Sequence, residues 1–395
     1  MQQDPLDTAN HPSSTPMISP CNSSDLNGAS ETTSQPNASS RSQATRVEWV
    51  DYAKGIGIIL VVYGHVVSGL SNAGVTQTLL PGLKYVIEHS VAGIYSFHMA
   101  IFFFIAGLFV NFDKFQNIIQ QKTFYWKKIV NLMYPYIVWT VIFSITLALM
   151  APYTNKGQFN IFEIPYKSVL NPELHLWFLY ALCISHILFA TLKQHFRSRV
   201  VLLISLILAI FAPWLQWGIL FPVFNLFLYF VLASFLSKYI LQSSSLLSKH
   251  LKTKWCYILA GVSAILHVKF IIAILPIFTN EKIHSITLLF PSSILGITTI
   301  TLLSYGLSRQ NLLGWIRQFG RYSLHIYIVH MLSWVAMRVL LQKILHTDQF
   351  FIHFVGGMVG GLVIPIGVAH LSERYCPWLF SAKGWVHPKS SNFAS

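Results

Sequence analysis

One stretch of this sequence joins residue types capable of chemistry to a spacing that gathers them: Trp49-Val-Asp51-Tyr-Ala-Lys54-Gly-Ile-Gly-Ile-Ile-Leu-Val-Val-Tyr-Gly-His65. It is apolar enough to lie in a membrane, where an ionisable side chain is expensive and therefore a functional candidate. Lys54 and His65 stand eleven residues apart. On a helix turning ~100° per residue they lie within about 20° of each other, with His65 roughly 16 Å further along the axis. Asp51 falls near the same stripe and is the candidate carboxylate partner of that imidazole. A cation at the mouth and an imidazole within suit an anionic donor molecule whose reactive end reaches inward to a base effective near neutrality. The plainer reading makes Lys54 an anchor snorkelling to lipid phosphates and His65 a helix–helix hydrogen bond. The shared face favours the chemical reading. Gly55, Gly57 and Gly64 thin the helix, so a neighbouring backbone or a ligand can come close.

Other candidates lie further along the chain. His98 heads the phenylalanine-rich run Ile101-Phe-Phe-Phe and would orient His65 or an acceptor, or else simply start a helix. Tyr327 and His330, three apart, share a helical face and are candidates to line the same site. Glu173, beside His175, is either a favourable acid at a helix N-terminus or an acceptor ligand. Trp177 would stack on a ligand ring or serve in an interfacial aromatic belt. Lys127 and Lys128 precede Pro135-Tyr136 and would add positive charge for a donor. Lys269 and Arg338, inside apolar runs, have no assigned role. Cys21, Cys183, Cys256 and Cys376 follow no metal or disulfide spacing and are read as small apolar residues.

The elements that position these groups are membrane helices. The chain has 395 residues, of which 54% are hydrophobic and only 10% charged, with mean hydropathy +0.55. A soluble protein carries about 25% charged residues. The apolar residues fall in runs of helix-spanning length, and helices satisfy their own backbone in lipid. Ten spans are expected, near 52–70, 92–110, 129–150, 173–191, 199–217, 222–240, 255–275, 285–307, 321–341 and 352–372. The pair around Pro213 and Pro222 is alternatively one broken helix.

The formal net charge of +14 does not point to nucleic acid, because the basic residues sit in short clusters between apolar runs. Fourteen lie in loops of one side, among them Lys127, Lys128, Arg309 and Arg321, against five on the other, including Lys84 and Lys343. That bias puts both termini in the cytoplasm. Residues 1–45, rich in Ser, Thr, Asn, Gln and Pro, are expected to be a disordered cytoplasmic tail. They lack the apolar core of a cleaved signal, so the first span must serve for insertion. The membrane domain is expected over 46–375, with a short cytoplasmic tail at 376–395.

Asp51-x-x-Lys54-Gly…Gly64-His65 resembles the first-helix signature of the membrane acyltransferase-3 family, including its fucose 4-O-acetylase-like branch. Further resemblances follow in order: Phe97-His98-Met99 with Ile101–Gly107, Lys127-Lys128 before Pro135-Tyr136, Leu176-Trp177-Phe178-Leu179, and Gly320-Arg-Tyr-Ser323-Leu-His-Ile-Tyr327-Ile-Val-His330. Each is weak alone; five in sequence are specific.

The resemblance implies a multi-pass plasma-membrane O-acyltransferase. Its donor would be cytoplasmic acyl-CoA, most commonly acetyl-CoA, and its acceptor a hydroxyl of an envelope polysaccharide or lipid-linked glycan. No metal is implied. Partners would be membrane lipid and the glycan, with self-association left open and nucleic acid excluded. His65 would take the catalytic role, as general base or as carrier of a transient acyl-imidazole, two alternatives the sequence leaves open. Lys54 would meet CoA phosphates where the family more often has arginine, keeping charge but losing bidentate geometry. Asn131 stands where an arginine often precedes the Pro-Tyr of the third helix, and no hydrolase-type domain follows. The rival class is a transporter or flippase of a sugar or lipid-linked glycan; no inverted repeat supports it.

Overall fold

The computed structural model describes residues 47–110, 118–150, 175–215, 220–241, 251–280 and 286–382. Their helices are α1 (Glu48–Asn72), α2 (Pro81–Tyr95), α3 (His98–Leu108), α4 (Ile118–Met150), α5 (Trp177–His195), α6 (Ser198–Leu215), α7 (Leu220–Leu241), α8 (Thr253–Asn280), α9 (Ile286–Gln310), α10 (Gly314–Arg321), α11 (Ser323–Leu345) and α12 (Phe350–Tyr375). Among the described residues there is no strand. Nine spans there are long and apolar enough to cross a membrane, and Ser198–Trp214 is a shorter apolar helix. The chain is an all-helical polytopic membrane protein. The segment 1–45, expected to be a disordered tail, lies outside the described residues.

Two expected boundaries shift, each where polar residues mask a helix from hydropathy, and one open alternative is resolved. The second span is not 92–110 but Pro81–Leu108, with Lys84 and Glu88 inside it, and it is broken at Ser96–Phe97 into α2 and α3. Proline at the first helical position starts α2. α4 begins eleven residues before the expected 129, so Lys122, Lys127 and Lys128 ride on a helix rather than in a loop. The stretch around Pro213 and Pro222 belongs to two helices, α6 and α7, which pack on each other.

A polar network holds the break in the second span. The Ser96 and Ser292 hydroxyls lie 2.8 Å apart. Ser293 donates to the Ser96 carbonyl, and His267 meets the carbonyls of Ser292 at 3.0 Å and Gly93 at 3.3 Å. The break frees backbone groups within the bilayer, which needs such partners.

α1 is the central helix, packed against α2, α3, α9, α10, α11 and α12. Its crossing with α10 is backbone on backbone. A Cβ on Gly55 would stand 2.0 Å from the Ile316 carbonyl oxygen, and one on Gly320 1.7 Å from that of Asp51. Left-handed Asn311 and Leu313 turn the chain sharply between α9 and α10. Two ion pairs strap α10 to the acidic first turn of α1: Arg317 to Glu48 at 2.8 Å and Arg321 to Asp51 at 3.9 Å. The acids also suit the positive end of the helix dipole.

The start of the C-terminal tail is pinned rather than free. Trp139 Nε1 donates to the Leu379 carbonyl at 2.9 Å and Tyr134 to that of Trp378 at 2.7 Å. Phe380 packs on Trp139 and His325.

Candidate active site

A cavity of about 210 Å³ opens beside Lys54. Phe102, Ile105, Ala106 and Phe109 of α3, Phe178 and Leu182 of α5, and Ser323, Leu324 and Tyr327 of α11 form its walls. Lys54 is the cation at the mouth of a chamber that is otherwise largely apolar, with the Ser323 and Tyr327 side chains adding hydroxyls. Its inner end is aromatic: the Phe178 ring lies 5.1 Å from Tyr327 and 5.7 Å from Phe102.

Just past that floor stands a group of imidazoles. His330 is one helical turn beyond Tyr327 on α11 and fully buried. Its ring is 5.1 Å from half-buried His65 and 5.3 Å from His175. Tyr95, 42% exposed, approaches from the other side, its ring 6.3 Å from His65 and stacked at 4.7 Å on His98. Gly64 makes that approach possible, since a Cβ there would meet Tyr95 at 2.4 Å.

Backbone carbonyls orient the buried rings. His98 Nδ1 lies 3.1 Å from the Ile94 carbonyl, and His175 Nε2 3.1 Å from that of Ile328. His330 Nδ1 lies 2.7 Å from Tyr327 and 3.0 Å from Ile326. A carbonyl oxygen only accepts, so in each case the named nitrogen carries the proton. The Tyr327 hydroxyl donates to the His175 carbonyl, tying the start of α5 to α11.

Of the residues singled out in the sequence, the structure gathers His65, His98, Tyr327 and His330, with Lys54 at the cavity mouth. Others fall elsewhere. Asp51 is buried in its ion pair with Arg321; fourteen residues separate it from His65, about 21 Å of helix, so the two do not share a site. Lys127 is exposed on α4. Lys128 donates to His186 Nε2 at 2.9 Å and lies over the Phe124 ring. Neither is among the residues lining the cavity. The Lys128–His186 pair sits one turn along α5 from the cavity residue Leu182, whose carbonyl accepts from His186 Nδ1 at 2.8 Å. Trp177 is half-buried against the core at the head of α5. Glu173 lies outside the described residues. Lys269 is exposed on α8, as a snorkelling lysine should be.

Sequence reasoning passed over Tyr95 and gave His175 only a neighbour's mention. Tyr95 lies three residues before His98, a pairing that helical spacing signals, yet the break at Ser96–Phe97 is what stacks them. The contact of His175 with His330 joins residues 155 positions apart, and no local pattern announces it.

A lysine cation, a largely apolar chamber and a cluster of imidazoles drawn from α1, α3, α11 and the start of α5 suit transfer of a group from a charged carrier. A family model described as an acyltransferase domain, that of acyltransferase-3, matches residues 47–370. Neither curated proteins nor solved structures gave a match. The model spans α1 to α12 and so takes in the cavity and every histidine of the cluster. The chain belongs to the membrane acyltransferase-3 family.

Proposed function

We propose that this membrane acyltransferase is an O-acyltransferase that moves an acyl group, acetyl first among them, from cytoplasmic acyl-CoA to a hydroxyl of an envelope polysaccharide or lipid-linked glycan. The observation that carries the reading is the line from Lys54 through the cavity to His65 and His330. Coenzyme A is an anionic head on a long, weakly polar arm ending in a thioester. The Lys54 ammonium suits a phosphate of the head, and the apolar walls suit the arm. His65 is the reacting imidazole.

The excess of basic residues on the Lys54 side supports a cytoplasmic donor, and hence a plasma membrane location. Tyr95, exposed beside His65 on the half of the broken span away from Lys54, supports approach of the glycan from the opposite leaflet. Asp51 holds α10 against α1 through its ion pair with Arg321.

Membranes holding wild type or His65→Ala, fed labelled acetyl-CoA, test this. Wild type should label glycan, and the substitution should abolish labelling at equal protein level. Equal labelling by both would remove His65 from the mechanism; no labelling of glycan by wild type would refute the acceptor class.

A further inference from the structure

His330 is the most enclosed imidazole of the cluster and has an idle nitrogen. Its Nδ1 proton is committed to the carbonyls of Ile326 and Tyr327, which leaves Nε2 with a lone pair. That Nε2 is buried and meets no hydrogen-bond partner. The neighbours supply none: His175 has given its Nε2 proton to Ile328, and its ring too keeps a bare nitrogen. His98 has committed its Nδ1 proton to Ile94. A buried acceptor without a donor is costly in a finished fold, and such groups cluster where a substrate brings the missing proton. His65 differs from all three, for among the described residues it makes no hydrogen bond to backbone.

We propose that the transfer uses both facing imidazoles in separate roles: His65 carries the acyl group, and His330 Nε2 is the base that deprotonates the acceptor hydroxyl. This assignment rests on the acyl-transfer reading above. Direct transfer needs one imidazole. A relay calls for a second base, because acylation of one ring nitrogen leaves the other only feebly basic, too weak to take the acceptor proton well.

In the first half-reaction a His65 nitrogen attacks the thioester carbonyl carbon; the C–N bond forms, the C–S bond breaks, and coenzyme A leaves as thiolate. The remaining N–H proton of the acyl-imidazolium passes to that thiolate, giving the thiol and neutral acyl-His65. In the second, the acceptor O–H proton passes to His330 Nε2 while its oxygen attacks the acyl carbon. The C–O bond forms, the C–N bond breaks, and His65 departs as imidazolate. The proton on His330 then returns to His65, and both rings are neutral again. Two carbonyls holding Nδ1 keep the Nε2 lone pair facing outward from α11 at every turnover and stabilise the imidazolium while it lasts.

The test uses the full-length protein in proteoliposomes, radiolabelled acetyl-CoA, and glycan-bearing envelope membranes of the source cell as acceptor probe. Without acceptor, wild type should retain label on protein, removable by hydroxylamine, with one thiol released per label; His65→Ala should retain none. His330→Gln should take up label as wild type does, but lose it to added acceptor about 10²–10⁴-fold more slowly. External imidazole should recover part of that rate in His330→Ala, which a merely structural role would not allow. Chase of His330→Gln at the wild-type rate would overturn the proposal, and so would its failure to take up label. Wild-type turnover without retained label would overturn the carrier role of His65 while leaving acyl transfer intact. Absence of both thiol release and glycan labelling in wild type would instead sink the underlying reading.

Discussion

The contact of α1 with α10 positions Lys54, and with it the proposed donor end of the site, and Gly320→Ala tests it. A Cβ at Gly320 would stand 1.7 Å from the Asp51 carbonyl oxygen, half the 3.4 Å of ordinary contact, and 3.0 Å from the Gly55 nitrogen. Both obstacles are backbone within helices, so no side chain can swing aside. The helices must part. Overpacking of this kind costs about 1–3 kcal/mol. The Arg321–Asp51 pair, already 3.9 Å long with Arg321 36% exposed, adds at most a few tenths. At about 2–4 °C per kcal/mol for a chain of moderate size, a cost of 2 kcal/mol lowers the unfolding temperature by roughly 4–8 °C. Tryptophan fluorescence of the detergent-solubilised protein would follow it. Because Lys54 adjoins Gly55 at the crossing, the donor KM should rise in the same variant. Gly82→Ala is the control. Nothing lies within 4 Å of that position on α2, and alanine in a helix is favoured over glycine by about 0.5–1 kcal/mol, so its unfolding temperature should hold or rise. A Gly320→Ala protein that unfolds with wild type and keeps its donor KM would refute the backbone contact and its link to Lys54.

Two further outcomes follow from single side chains. Lys54→Ala removes the cation at the cavity mouth; a charge-assisted hydrogen bond is worth about 1.5–3 kcal/mol, and half-exposure sets it at the low end, so the apparent donor KM should rise about tenfold. Acceptor use should not change, Lys54→Arg should recover the loss, and an unaltered donor KM would dismiss the phosphate contact. Tyr327→Phe strips the hydroxyl that donates to the His175 carbonyl and leaves that carbonyl unpaired, at about 1–3 kcal/mol. Thermal unfolding should fall accordingly and kcat should drop as His175 loosens against His330; an unchanged unfolding temperature would show that the bond is not held in solution.

Much of the fold was legible because hydropathy is a one-dimensional signal. The spans of α1, α7, α8, α9, α11 and α12 are long apolar runs, and each falls close to where the runs put it. The signal failed where polar residues ride inside a helix. Lys84 and Glu88 lie in α2, and Glu88 is satisfied there by the hydroxyls of Ser71 and Thr76 at 2.7 and 2.9 Å; a windowed average sees only a charged loop. The opening turns of α4, Gln120 to Lys128, are likewise polar, yet half-buried Lys128 is held by His186 from α5. A break such as Ser96–Phe97 is harder still. Neither residue is a helix breaker, and the network that holds it comes from His267, Ser292 and Ser293, about 170 to 200 positions away.

The site divides along the same line, between what one helix states and what several must agree on. The stripe from Lys54 to His65 was readable because both residues belong to α1, whose geometry is fixed by its own backbone. Asp51 shows the limit of that argument: it shares the stripe, but α10 claims it first, since Gly320 admits the α10 backbone and Arg321 supplies the charge. Angle around a helix says which face a residue occupies; it does not say which neighbour reaches that face. For His330 the sequence offered a face and a spacing from Tyr327 and nothing about protonation. Its chemistry is set by the two carbonyls that take its Nδ1 proton and by the enclosure that leaves Nε2 without a donor. The same imidazole with Nδ1 free would be a polar spacer between helices. With Nδ1 committed it has one lone pair, one direction, and His65 5.1 Å away.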